Sequence, residues 1–79
     1  IRFTVTPKAT NVKAAFYLYK NGKRIDTQWY GKKLSYILDK QKYGKGMYKV
    51  GYFIIDGNND KLGEAEKLET GFSEEINVP

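Results

Sequence analysis

Apolar and polar positions alternate most regularly between Tyr43 and Gly57. Tyr48, Val50, Tyr52 and Ile54 recur at every second place, preceded by Gly44 and Gly46 and followed by Asp56-Gly57. Aromatic and β-branched residues at a period of two, between turn signals, predict a half-buried strand. It is the longest run of its kind in the chain and is expected at the centre of a sheet. Upstream, Ile1, Phe3 and Val5 alternate with Arg2 and Thr4 in a short strand closed by Pro7. Residues 12–20 predict a second strand, with Ala14, Phe16 and Leu18 on one face and Ala15, Tyr17 and Tyr19 on the other. Asn21-Gly22 then separates this run from KRIDTQWY. Asn-Gly between two strand-like runs predicts a type I′ hairpin, because both turn residues take positive φ.

On strict alternation, the return strand places Ile25, Thr27 and Trp29 on one face and Arg24, Asp26, Gln28 and Tyr30 on the other. A fourth short strand is expected over residues 34–38, and 39–46 read as a polar corner containing glycine. Residues 56–60, DGNND, are a turn. A short strand or excursion is expected near 61–66, and a last strand over 70–78 with Phe72, Ile76 and Val78 as its apolar residues. Five to seven strands without a strong helix predict an all-β domain, a small antiparallel β-sandwich, with a closed barrel as the alternative. Trp29 is expected between the layers. Tyr48, at the start of the central strand just after the corner, can bury its ring and donate its hydroxyl to upstream backbone. Tyr43 is the alternative for that role.

Composition fits this picture: 79 residues, 41% apolar and 15% aromatic, suffice for one small core. The chain opens at Ile1 and reads as a single domain, 1–79, excised from a larger protein. No apolar run reaches the roughly 20 residues of a membrane span. The net charge of +5 is unevenly divided. Residues 1–50 carry twelve Lys/Arg against Asp26 and Asp39, whereas 51–79 carry Lys61 and Lys67 against seven acids. The lysines stand singly between apolar residues, as on solvated strand faces and edges, rather than in a polyanion-binding run.

Candidate chemistry narrows by inventory. Without His or Cys, no Ser-His or Cys-His nucleophile can form, and no Cys-based metal site or disulfide exists. Ser35 and Ser73 have no base. Asp56, Asn58 and Asp60 have the first spacings of a calcium loop, but the glycine and the closing glutamate of that motif are replaced by Lys61 and Lys67. Asx-turn bonding accounts for the segment equally well. Gly44-Lys45-Gly46 lacks phosphate-loop spacing and precedes a strand rather than a helix. No enzyme and no cofactor is expected.

What remains is a surface. With Phe16 and Leu18 inward, Tyr17 and Tyr19 face out, together with Tyr30 and Tyr36 and with Lys20, Lys23, Lys32 and Lys33 nearby in sequence. Aromatic rings beside cations suit packing on a neighbouring domain, stacking on a glycan or, least well, stacking on nucleic acid.

The segments FYLYKNGKRIDTQWY, LSYIL and GKGMYKVGYFI resemble the middle strands of fibronectin type III-like and immunoglobulin-like sandwiches. Tyr17-Leu18-Tyr19, Trp29, Tyr36 and Gly46-Met47-Tyr48-Lys49-Val50 are similar to the triple-tyrosine (Y_Y_Y) domain in particular. The likeness covers about residues 14–57, and Lys45-Gly46 stands where that family has Pro-Gly. It implies a non-catalytic accessory module beside other domains in bacterial multidomain proteins. Its partners would be neighbouring domains or another protein, with carbohydrate binding as the alternative.

Overall fold

The computed structural model describes residues 1–79. Seven strands, β1 (Arg2–Thr4), β2 (Val12–Lys20), β3 (Lys23–Gly31), β4 (Ser35–Ile37), β5 (Gly46–Asp56), β6 (Glu69–Phe72) and β7 (Ile76–Val78), form two antiparallel sheets. The larger has the order β3-β2-β5-β6, with β7 continuing the β6 edge along β5; the smaller is β1-β4. The fold is a small all-β sandwich. Phe3 meets Phe16 and Tyr52 with ring centroids 6.2 and 5.9 Å away, and Tyr36 meets Phe16 at 6.2 Å. The small sheet therefore lies on the face of the large one that carries Phe16.

That inner face holds the core. Ala14, Phe16 and Leu18 of β2 and Tyr48, Val50 and Ile54 of β5 are buried with Val5, Tyr36, Leu38 and Val78. Since opposed residues in an antiparallel pair share a face, the pairs Phe16–Tyr52 and Leu18–Val50 extend one apolar surface across both strands. The central position expected for the run Tyr43–Gly57 follows: its strand, β5, pairs with β2, β6 and β7.

The hairpin is the type I′ turn expected, with φ +50° at Asn21 and +85° at Gly22. Its tip is also anchored sideways. The Asn21 N–H donates to the Met47 carbonyl at 2.8 Å, and the Asn21 Oδ1 accepts from the Met47 N–H at 3.1 Å.

The corner contains a single helical turn, α1 (Lys40–Tyr43), capped by Asp39, whose Oδ1 accepts from the N–H groups of Gln41 and Lys42. Tyr48, fully buried, donates its hydroxyl to the Gly44 carbonyl at 2.6 Å. The tyrosine expected to tie corner to strand is thus Tyr48 rather than Tyr43.

Of the two alternatives for residues 61–66, the excursion forms rather than the strand: a 3-10 turn spans Leu62–Glu64, and Asp56 and Asn59 make the Asx bonds, accepting from Asn58 N–H and Lys61 N–H. The expected last strand is split into β6 and β7, because Glu74 and Glu75 together face Lys49 in a bulge. Ser73 bridges the break, its N–H donating to the Val50 carbonyl and its Oγ accepting from the Val50 N–H.

Replacing Tyr48 with Phe leaves the Gly44 carbonyl unsatisfied beside the core, at an expected cost of about 1–3 kcal/mol in urea unfolding. An unchanged midpoint would show that the hydroxyl carries no weight.

Candidate functional site

The outer face of the large sheet is built by two irregularities in β3. Between Ala14–Gly31 and Phe16–Gln28 the register shifts, so Trp29 and Tyr30 both oppose Ala15. Between Leu18–Asp26 and Tyr19–Arg24 it shifts again, leaving Ile25 as the extra residue. Alternation along β3 is therefore broken twice: Thr27 and Trp29 share a face as expected, as do Asp26 and Gln28, but Ile25, Arg24 and Tyr30 leave their expected faces. Asp26 and Gln28 share the inner face with Leu18 and Phe16, while Arg24 and Thr27 lie outside with Tyr19 and Tyr17.

The consequence is a row of rings. Trp29 and Tyr30 lie 5.1 Å apart, Tyr17 lies 4.9 Å from Phe53 and 6.5 Å from Tyr19, and Tyr19 lies 6.0 Å from Phe72, all edge to face. The Arg24 guanidinium sits 4.5 Å above the Tyr17 ring, and the Lys49 ammonium 4.5 Å above that of Phe72. Beneath the row, Gly51 makes room. A Cβ there would stand 3.1 Å from the Phe72 ring and 3.4 Å from that of Tyr19. The excursion after β5 covers one end of this face, where Leu62, Gly63 and Lys67 border a small cleft of about 110 Å³ with Trp29, Tyr30, Tyr17 and Phe53. Burial, and then the neighbouring Tyr17, push the Tyr30 hydroxyl above its ordinary pKa.

Trp29 is a correction. It is 51% exposed and lies on the outer face, not between the layers, because the bulge at Ile25 shifts the phase of the residues that follow it. Phe72 is 60% exposed.

Of the residues singled out from sequence, Tyr17, Tyr19 and Tyr30 come together here. Tyr36 does not. It is buried at 4% exposure, opposite Phe3 in the small sheet, and donates its hydroxyl to the Asp26 Oδ2 at 2.5 Å. Lys20 serves the corner, with its ammonium donating to the Tyr43 carbonyl at 2.6 Å and lying 5.8 Å from the Tyr48 ring centroid. Lys23 pairs with Lys20 at the hairpin end, and Lys32 and Lys33 follow β3 at its other end, so the four lysines do not converge on the tyrosines. The cations that do are Arg24 and Lys49. Phe53, Phe72 and Trp29 were hidden by the same cause, since strict alternation gives no hint of bulges or of which strands become neighbours.

Asp26 and Tyr36 form a polar clamp between the layers, reinforced by the Gln28 side-chain amide donating to the Ser35 carbonyl at 3.0 Å. Burial tends to raise the Asp26 carboxyl, but hydrogen bonds from Tyr36, the Thr27 N–H and Tyr43, together with the charge of Lys42, hold it below its ordinary value. Burial, and then the Asp26 carboxylate, push the Tyr36 hydroxyl up.

Compared with family models, curated proteins and solved structures, the chain matches none.

Two outcomes follow. The clamp's stability contribution is present between the ordinary carboxylate and tyrosine values, near pH 4 and pH 10. It is lost as pH falls through the depressed Asp26 value, and lost again as pH rises above the ordinary tyrosine value. Tyr36→Phe should flatten both limbs of a stability–pH profile, and a profile identical to that of the parent would remove the clamp. Trp29→Ala should cost less than about 1 kcal/mol in urea unfolding; a loss above about 3 kcal/mol would mark it as a core residue.

Proposed function

We propose that this chain is a non-catalytic interaction module that works through the outer face of its larger sheet, against a neighbouring domain or a protein partner. The observation that carries the reading is the outer-face row Trp29, Tyr30, Tyr17, Phe53, Tyr19 and Phe72, exposed at Trp29 and Phe72 and half-buried between, with Arg24 and Lys49 laid on it. Trp, Tyr, Phe and Arg are the residues enriched at the energetic centres of protein interfaces. Rings already locked against one another bring large contact area with little rotamer entropy left to lose. The resemblance of residues 14–57 to fibronectin type III-like sandwiches and the triple-tyrosine domain points the same way, toward an accessory role within a larger bacterial protein. The exposed Trp29 adds to this, being placed for contact rather than for stability.

Carbohydrate binding is the second reading, favoured by the cleft beside Trp29, Tyr30 and Lys67. Against it, the rings meet edge to face, and cations cover faces of Tyr17 and Phe72. Stacking on sugars or bases needs bare ring faces.

An NMR titration with neutral and acidic oligosaccharides separates the two. The interaction reading expects no shifts at millimolar ligand. Saturable shifts confined to Tyr17, Trp29, Tyr30 and their neighbours would put the carbohydrate reading in its place.

A further inference from the structure

The two layers of the sandwich are not equally wide. At about 4.8 Å between strands, the path β3-β2-β5-β6 spans roughly 14 Å between its outermost axes and the pair β1-β4 only about 5 Å. The small sheet sits toward the β3 side. Tyr36 of β4 reaches Asp26 of β3 and Phe16 of β2, while Phe3 of β1 reaches Phe16 of β2 and Tyr52 of β5. Apart from the turn that brings Lys8 to Glu69, no strand of the small sheet lies over the β5–β6 flank. Tyr52, on the inner face of the central strand, is consequently only half-buried. A groove of about 250 Å³ runs there, with Phe3, Thr4 and Val5 on one wall, Tyr52 and Ile54 on its floor and Glu69 and Phe72 on the other wall.

The β1 wall also carries unspent backbone chemistry. Ile1 and Leu38 exchange hydrogen bonds, and the Val5 N–H donates to the Leu34 carbonyl. Bonded pairs recur at every second residue in an antiparallel ladder, so Phe3 and Tyr36 form the pair between them. The N–H and C=O groups of Arg2 and Thr4 then point the other way, over the groove, where β1 has no partner strand. Unlike β3, whose edge is twisted by two bulges, this edge is regular.

We infer that the groove is a strand-accepting site, in which an extended segment of another polypeptide pairs with Arg2–Thr4 and covers Tyr52. Edge donors and acceptors over an apolar floor select a β-strand rather than a helix or a small ligand. The wall from Phe3 to Pro7 is long enough for about five residues at 3.3 Å each. Inward-facing apolar side chains would meet Phe3 and Tyr52, and a Lys or Arg would meet Glu69. At one end the groove is closed, where the Lys8 N–H donates to the Glu69 Oε2 at 2.9 Å. A second folded copy cannot supply its own β1, because the large sheet beneath that strand would collide with β5 and β6 of the first. The site meets the outer aromatic face only at Phe72, which borders both, and does not depend on that face's role.

The test uses the 79-residue chain and a panel of synthetic seven-residue peptides. In each, valine, isoleucine or phenylalanine alternates with threonine and one lysine. At ten times Kd, amide exchange at Arg2 and Thr4 should slow about tenfold, with shifts at Phe3 and Tyr52. Peptides N-methylated along the pairing edge should lose that protection. The site is overturned if no peptide protects Arg2 and Thr4 at millimolar concentration, if N-methylated peptides protect equally, or if the shifts fall on Trp29 and Tyr30. Protection that rises with protein concentration alone, without peptide, would assign the edge to a second copy and overturn it as well.

Discussion

The buried Tyr48 holds the two halves of this chain in register. Its ring lies in the core on the inner face of β5, and its hydroxyl ends on the Gly44 carbonyl. Lys20, at the end of β2, lies along the same ring and donates to the Tyr43 carbonyl. One side chain therefore fixes where the corner ends, where β5 begins and how the first hairpin meets it. Asn21 adds the backbone side of this junction through Met47. A sandwich this small has few buried residues to spare, so a junction uniting apolar burial with charge-assisted and neutral hydrogen bonds weighs heavily.

The remaining order depends on how unequal sheets are joined. Only two strands cover the inner face, and the clamp of Asp26 on Tyr36 draws them toward β3. The opposite flank, over β5 and β6, is left with a half-buried Tyr52 and an unpaired β1 edge. On the other side of the large sheet, bulges in β3 gather Trp29 and Tyr30 onto one face with Tyr17, Phe53, Tyr19 and Phe72. The two surfaces differ in kind. One offers backbone pairing over an apolar floor, and the other offers side-chain area with cations above it.

How much of this was legible beforehand depended on the range of the interaction. The hairpin was readable because Asn21-Gly22 is a local conformational demand, and β5 because its alternation is unbroken over the core-facing positions. Tyr48 was readable from its place after a polar corner. Trp29 and Tyr36 depart from their expected places for different reasons: the bulge at Ile25 moves the later residues of β3 by one face, and β4 leaves the large sheet to pair with β1 over the core, and no local signal announces either. Lys20, Lys23, Lys32 and Lys33 are near the tyrosines in sequence but lie at the two ends of β3 and its hairpin in space. The tyrosines' real companions, Arg24 and Lys49, come from strands on either side of β2.

The sequence by itself determined the all-β class, the type I′ turn, the central strand and the absence of histidine and cysteine chemistry. These rest on backbone preferences within a few residues and on side-chain inventory. Tertiary structure decided which residues became a surface. Register between strands, and the bulges that shift it, are set by packing across the whole core. An aromatic row or an open strand edge therefore exists only once β2, β3, β5 and β6 lie side by side.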